Sequence, residues 1–209
     1  MRRKDAILAE ASRAFGEKGY AATSMRDLAR ALNLQSGSLY AHISSKDDLL
    51  WEIARRVAER FLAEAAAVPP DLPPAQRLAE LIRRHLDVVA SEIQGTTVFF
   101  HEWHHLSPER RATIQTQRDI YETHFQRAIA DGAASGVFHV DDVRLATLFV
   151  LSALNWTYQW LDPDGRLPIA AIADQYTALI LGALTGATRT IGRPVRPACS
   201  DSGAKENAP

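Results

Sequence analysis

The sequence predicts an all-α protein, with a small N-terminal three-helix head joined by one long helix to a larger helical body. Three observations predict it. Apolar residues recur at three- and four-residue intervals along nearly the whole chain; no alternating β-branched run with hairpin turn chemistry interrupts them; and Ser/Asp caps, prolines and glycines stand where helices must start and stop. At 209 residues, 46% apolar and 23% charged, the chain has the make-up of one globular domain or two small ones sharing an interface, too short for a second large catalytic domain. The most apolar window, Leu145 to Leu161, is broken by Asn155 and Gln159, so neither a membrane span nor a secretory leader is expected. The single cysteine, Cys199, can form no disulfide within the chain, which fits a reducing cytoplasm.

Each element has its own signal. Ile7, Ala11, Ala14 and Phe15 form the stripe of a first helix that Gly16 and Gly19 stop. Ser24 and Asp27 make a capping box, so a second short helix starts at Met25 and buries Leu28, Ala29 and Leu32. Asn33, which tolerates left-handed backbone angles, marks the turn into a third helix over 36–43 with Leu39 and Ile43 inward. Ser45 and Asp48 cap a long helix to about Ala67 with the stripe Leu49/Leu50, Ile53, Val57 and Phe61. Four prolines within 69–74 then break the chain. Beyond them, Gln76–Ala90 is helical with Leu78, Ile82, Leu86 and Val89 inward, and Val98–Leu106 is dense in aromatics and histidines. Ser107-Pro108 opens a helix to about Ala133, stopped by Gly132 and Gly136 and striped by Ile114, Tyr121, Phe125 and Ile129. Asp141/Asp142 cap an apolar helix to Leu161, Asp162–Gly165 turns, and Pro168 opens a last helix to about Thr188. These signals divide the chain into a head (1–48), a body (49–191) and a tail (192–209) that reads as disordered.

The net charge of −1 hides an asymmetry, since residues 1–60 hold eleven Lys/Arg against eight Asp/Glu and the rest is acidic. A modestly basic head suits contact with nucleic acid, and three short helices with a tight turn before the third have the pattern of a helix-turn-helix. The segment TSMRDLARALNLQSGSLYAHISSKDDLL, from Thr23 to Leu50, closely resembles the DNA-binding signature of the TetR family of transcriptional regulators. Two mild departures are Asn33, where the family usually has glycine, and Ala41, where a larger or polar residue is common. The resemblance implies that Tyr40, His42 and Lys46 hold the phosphate backbone, by hydroxyl, imidazole and ammonium. It also implies that Arg26, Ser36, Gly37, Ser38 and Ala41 face bases or the nearby sugar-phosphate; of these only Arg26 can make a bidentate contact to guanine. So thin a base-reading set points to shape readout and a contribution from the arm Arg2-Arg3-Lys4.

In the body, His101-Glu102-Trp103-His104-His105 contains H-E-x-x-H, the helical spacing that sets two histidines on one face for zinc with a glutamate as general base. A zinc-dependent hydrolase built there is the alternative function. Catalytic zinc needs a third protein ligand, for which Glu122 is the nearest candidate, and longer metalloprotease signatures fail at Pro108 and Arg111. Arg118 falls on the inward stripe, where an unpaired guanidinium is costly, so a structural ion pair of Glu102 with Arg118 is expected, and no metal or other cofactor. Asn155, Trp156, Gln159 and Trp160 form two i,i+4 pairs, which with Phe99, Phe100, Trp103, Tyr121 and Phe125 could line an apolar effector pocket; the same aromatics could equally be core or subunit interface. The last two helices resemble the family's dimerisation pair, and Ala178, Gly182 and Gly186 would permit close two-fold packing. The stretch 156–167 is similar, more loosely, to regulators that sense acyl-CoA thioesters, but Gln159 and Asp162 stand where basic residues might hold the CoA phosphates. A free fatty acid, steroid-like or aromatic effector stays open. The expectation is a cytoplasmic, non-enzymatic homodimeric repressor, released from a palindromic double-stranded operator by a small effector and making no use of a membrane.

Overall fold

The structure is a computed structural model that describes residues 3–186. Among these there are nine α-helices and no strand: α1 (Arg3–Lys18), α2 (Met25–Ala31), α3 (Ser36–Tyr40), α4 (Lys46–Ala66), α5 (Pro74–Ser91), α6 (Ile93–His101), α7 (Pro108–Ala134), α8 (Val143–Asn155) and α9 (Ile169–Thr185). Two 3-10 turns, Trp103–His105 and Trp156–Gln159, follow α6 and α8. None of the described helices is long and apolar enough to cross a membrane. The arm residue Arg2, the end of the last helix near Thr188 and the tail 192–209 lie outside the described residues.

The head folds around local signals. The Ser24 hydroxyl accepts from the Asp27 amide while the Asp27 carboxylate accepts from the Ser24 amide, closing the capping box at the start of α2. Asn33 is the one described non-glycine residue at positive φ, 52°, as the turn between α2 and α3 requires. Leu28, Leu39, Leu49 and Leu50 close over Ile7 and Phe15 in a dry core. α4 is the common axle: Leu49, Ile53, Val57 and Phe61 are buried, and the helix packs on α1, α5, α6 and α7. Burying such side chains is worth about 1.5–3 kcal/mol each before entropy is charged against it.

Three boundaries differ from expectation, each for a local reason. α3 stops at Tyr40 instead of Ile43, because Ser45 must be extended (φ −154°) to cap α4. The helix expected to reach Leu161 ends at Asn155, where the buried Thr157 hydroxyl donates to the Leu154 carbonyl at 2.6 Å and tightens the chain into a 3-10 turn. The aromatic stretch 98–106 is the end of α6 followed by a 3-10 turn; the break before α6 falls at Glu92, after Ser91 has turned its hydroxyl onto the Asp87 carbonyl. Gly132 is not a stop signal. It lies inside α7, where a Cβ would overlap the ring of the buried Phe138.

Candidate functional site

Two places bear the chemistry of function. The first is the outer face of the head. Leu39 and Ile43 are buried, which turns Gly37, Ser38, Tyr40, Ala41 and His42 to solvent, with Arg26 exposed on the neighbouring α2. Ser36 opens α3. Tyr40 is 51% exposed although apolar in most of its surface. Gly37 has helical geometry, and a Cβ built on it would meet nothing within 4 Å. Nothing among the described residues requires glycine there. Lys46 behaves differently: its ammonium donates to the carbonyls of Tyr20 (2.9 Å) and Thr23 (3.0 Å) and lies 4.2 Å from the Tyr20 ring centroid. It staples the start of α4 to the turn between α1 and α2.

The second place is a cavity of about 300 Å³ between α4, α5, α6, α7 and α8, open to solvent on the side of Gln115, Asp119, Leu148 and Ser152. Phe61, Phe99, Phe100 and Leu151 give it an apolar wall; His85, Gln117, Tyr121 and Asn155 give it neutral polar groups, and Arg118, Asp119 and Glu122 give it charged ones. Phe61 is the hub, 5.4 Å from Tyr121 and 4.9 Å from His85 between ring centroids. The His85 Nδ1 and the Tyr121 hydroxyl are 2.9 Å apart. Burial pulls the His85 imidazole down to about 3 and pushes the Tyr121 phenol above its ordinary value. His85 is therefore neutral and Tyr121 protonated at neutral pH. The Nε2 of His85, the Oε1 of Gln117 and the Nη1 of Arg118 are buried without a hydrogen-bond partner among the described residues.

Of the residues expected to line a pocket, Phe99, Phe100, Tyr121 and Asn155 do so. Phe125 stands behind Tyr121 at 5.4 Å, fully buried in the core. Trp156 and Trp160 point outward, 62% and 49% exposed, because the 3-10 turn after α8 rotates them off the inward face; Trp160 stacks on Tyr176. Gln159, also exposed, donates to the His101 Nε2 at 2.8 Å. Trp103 reaches the cavity's edge only through Arg118, whose guanidinium lies 5.1 Å from its ring and 5.6 Å from that of Phe99.

The expected ion pair of Glu102 with Arg118 is corrected by the structure. Glu102 turns the other way, to within 3.4 Å of the His105 Nε2 and beside Gly19 of the head, since it caps α6 at a point where the backbone changes direction. Arg118 makes no salt bridge among the described residues, and burial lowers its pKa against the partial opposition of Asp119 and Glu122. The zinc-hydrolase arrangement is likewise not formed. It needs His101 and His105 on one face of a continuous helix, whereas α6 ends at His101. The donors that do converge are Glu102, His104 and His105, within 4.8 Å of one another on an exposed turn whose His105 stacks on Tyr20. Such a set could offer three ligands to a transition metal.

Sequence reasoning missed two features. Arg110, at the start of α7, forms ion pairs with both Asp47 and Asp48 at the start of α4 and covers the face of Trp51. Its hydrogen bond and that of Ser45 hold the Asp48 carboxyl below its usual range. No periodicity links positions more than sixty residues apart. His85 was missed for another reason: it sits between Ile82 and Leu86 on a stripe read by its aliphatics, and its neighbour Tyr121 is remote in sequence.

A helix-turn-helix head with α3 exposed, on a helical body with a cavity, is the build of a regulator of the helix-turn-helix class. Comparison with known proteins agrees and narrows it. Residues 7–53 match the model described as bacterial regulatory proteins, tetR family, and residues 71–184 match the tetracyclin repressor-like C-terminal domain. The chain belongs to the TetR family of transcriptional regulators. It is 26% identical over 186 residues to the HTH-type transcriptional repressor KstR2 of Mycobacterium tuberculosis, covering 88% of this chain and 93% of that one. The structure of that ketosteroid regulator superposes with a TM-score of 0.84, covering 89% and 96% of the two chains. The TetR family regulator PfmR from Thermus thermophilus is 35% identical, with a TM-score of 0.78 over 84% of this chain and 96% of its own. AibR, in a structure described as a complex with isovaleryl coenzyme A and operator DNA, is 28% identical, with a TM-score of 0.76 over 85% and 97%.

Proposed function

We propose that the protein is a homodimeric repressor of a palindromic operator, released when a small molecule with an apolar body fills the cavity between α4 and α8. The observation that carries this reading is the course of α7. One helix supplies Gln117, Arg118 and Tyr121 to the cavity wall and, eight residues before Arg118, Arg110 to the start of α4. At 1.5 Å per residue the two sites are about 12 Å apart on one rigid rod. Ligand bulk that displaces α7 therefore acts on Asp47 and Asp48, next to the Lys46 staple that fixes the head. Release requires the ligand to bind the displaced arrangement more tightly than the operator-competent one, and the population shift is limited by that difference.

The dimer reading rests on α8 and α9. Leu145 and Phe149 on α8, Trp156 just after it and Leu179 on α9 are 55–73% exposed, large apolar side chains that pairing with a second copy would take out of water. Among the described residues nothing lies within 4 Å of a Cβ built on Gly182, which leaves room for a second copy to approach. Two-fold pairing of such a face sets two recognition helices for half-sites one turn of duplex apart, and with it a palindrome. AibR and KstR2, similar along nearly their whole length, support an acyl-thioester or steroid-like effector for this chain as well. Tyr40, His42 and the backbone around Ser36 and Gly37 take phosphates, while Arg26 and Ser38 read bases.

Selection of duplexes from a random pool by the purified chain, with sedimentation to count protomers, tests this reading. The expected result is a two-fold-symmetric motif bound by a dimer, with affinity falling steeply as salt rises. Binding without sequence preference would overturn it.

A further inference from the structure

We infer that the effector carries an anionic oxygen group, a carboxylate or a phosphate, that seats on Arg118. This rests on the reading of the cavity as the effector site. Among the described residues Arg118 is the one arginine or lysine lining the cavity, and its Nη1 is shut off from water with no partner. A guanidinium is charged at any physiological pH, so the group cannot escape its burial by losing a proton. Folded chains answer a buried charge with a counter-charge, and the chain has carboxylates close by on the same helix, Asp119 and Glu122. Neither bonds to the Arg118 Nη1; Asp119 turns to the Gln115 amide at 2.7 Å. The faces of Trp103 and Phe99 hold the guanidinium in place but supply no formal charge.

The remaining polar lining holds two carboxylates, the exposed Asp119 and the half-buried Glu122 on the same helix as Arg118, and is otherwise neutral. His85 carries no charge and so does not compete for an anion, while Ser152 and Asn155 offer neutral donors. The opposite wall, Phe61, Phe100 and Leu151, is apolar. A ligand complementary to this arrangement is an amphiphile with an apolar body and one compact anionic end. A cavity near 300 Å³ is at the small end of ligand sites, so a coenzyme A thioester could place its acyl part or its phosphates inside, not the whole molecule.

The test uses the full chain and matched probes: decanoic acid and decanol, 4-phenylbutyric acid and 4-phenylbutanol, a bile acid and its alcohol, and decanoyl-coenzyme A. Tryptophan fluorescence follows binding, with Trp103 lying on Arg118. The expected result is that, in at least one matched set, the anionic member binds at least tenfold more tightly than the alcohol. Arg118→Met should abolish that preference while keeping alcohol affinity, and Arg118→Lys should keep part of the preference. The ligand-free Arg118→Met variant should also melt no lower than the parent, since it relieves an unpaired buried charge. Preference for decanoate assigns a carboxylate, and preference for decanoyl-coenzyme A alone assigns a phosphate. Equal binding of acids, thioester and alcohols, or a lower melting temperature for Arg118→Met, overturns the role of Arg118 and leaves the cavity standing. If no probe binds, the cavity reading fails and this inference with it.

Discussion

The exposed face of the head and the cavity of the body satisfy their polar groups in opposite ways. On the head, the side chains around α3 project from a core that is complete without them: Leu39 and Ile43 are buried, the helix cap is closed, and Gly37 leaves open space where a Cβ would stand. In the body, the groups that line the cavity are built into the packing, and among the described residues His85, Gln117 and Arg118 each keep a buried polar atom unpaired. An exposed site leaves its hydrogen bonds to water until a partner arrives, at little cost. A buried polar atom without a partner bears that cost until a partner arrives.

The comparison breaks first, and with the largest expected effect, at Lys46. Its ammonium holds two backbone carbonyls, and hydrogen bonds from a charged group are worth about 1.5–3 kcal/mol each, less for a partly exposed pair. Lys46→Met should therefore destabilise the head by about 2 kcal/mol and weaken operator binding through misplacement of α3. Hydrogen exchange in α2 and α3 checks it: unchanged protection with weakened DNA binding would return Lys46 to a plain phosphate contact.

Two glycines sharpen the contrast. Gly132→Ala forces a Cβ into the Phe138 ring and should cost about 1–3 kcal/mol, the range for overpacking a dense core. Gly37→Ala meets open space, so it should keep stability or raise it by up to about 1 kcal/mol while lowering operator affinity. Thermal melts beside operator titrations separate the two. Should Gly37→Ala bind DNA like the parent, the backbone of α3 does not approach the duplex closely.

A smaller effect is the pH dependence that His85 builds into the body. Folded, it stays neutral down to about 3; unfolded, it takes a proton near its ordinary value of about 6.5. The unfolded chain thus binds more protons in between, and stability falls as pH drops through that window. Denaturant unfolding at pH 6 and pH 5 should differ by about 1 kcal/mol from this group alone, a difference that His85→Leu should remove. A variant with an unchanged slope would mean that the imidazole is protonated in the fold.

The same contrast governs how much was legible in the sequence. Ser24 with Asp27, Asn33 at the turn and Ser45 with Asp48 act within a few residues of themselves, so the head could be read down to its caps and its exposed positions. The body depends on contacts that have no spacing. Arg110 finds Asp47 across sixty-three positions, and His85 finds Tyr121 across thirty-six. Trp156 and Trp160 were expected inside because helical spacing was carried past Asn155, where Thr157 ends the helix. Glu102 was expected to neutralise Arg118 on the premise that a chain pairs its own buried charges, whereas the carboxylate turns to His105 across a change of backbone direction that no spacing announces.

The account turns on α7 as the link between cavity and head, and Arg110 is where that link can be cut. Fluorescence anisotropy of a selected operator, titrated with an effector that releases the parent protein, measures it directly in Arg110→Gln. The account predicts that this variant binds the operator and, by tryptophan fluorescence, the effector, while the effector's hold on operator affinity shrinks at least tenfold. Release from Arg110→Gln at the same effector concentration as from the parent would contradict it.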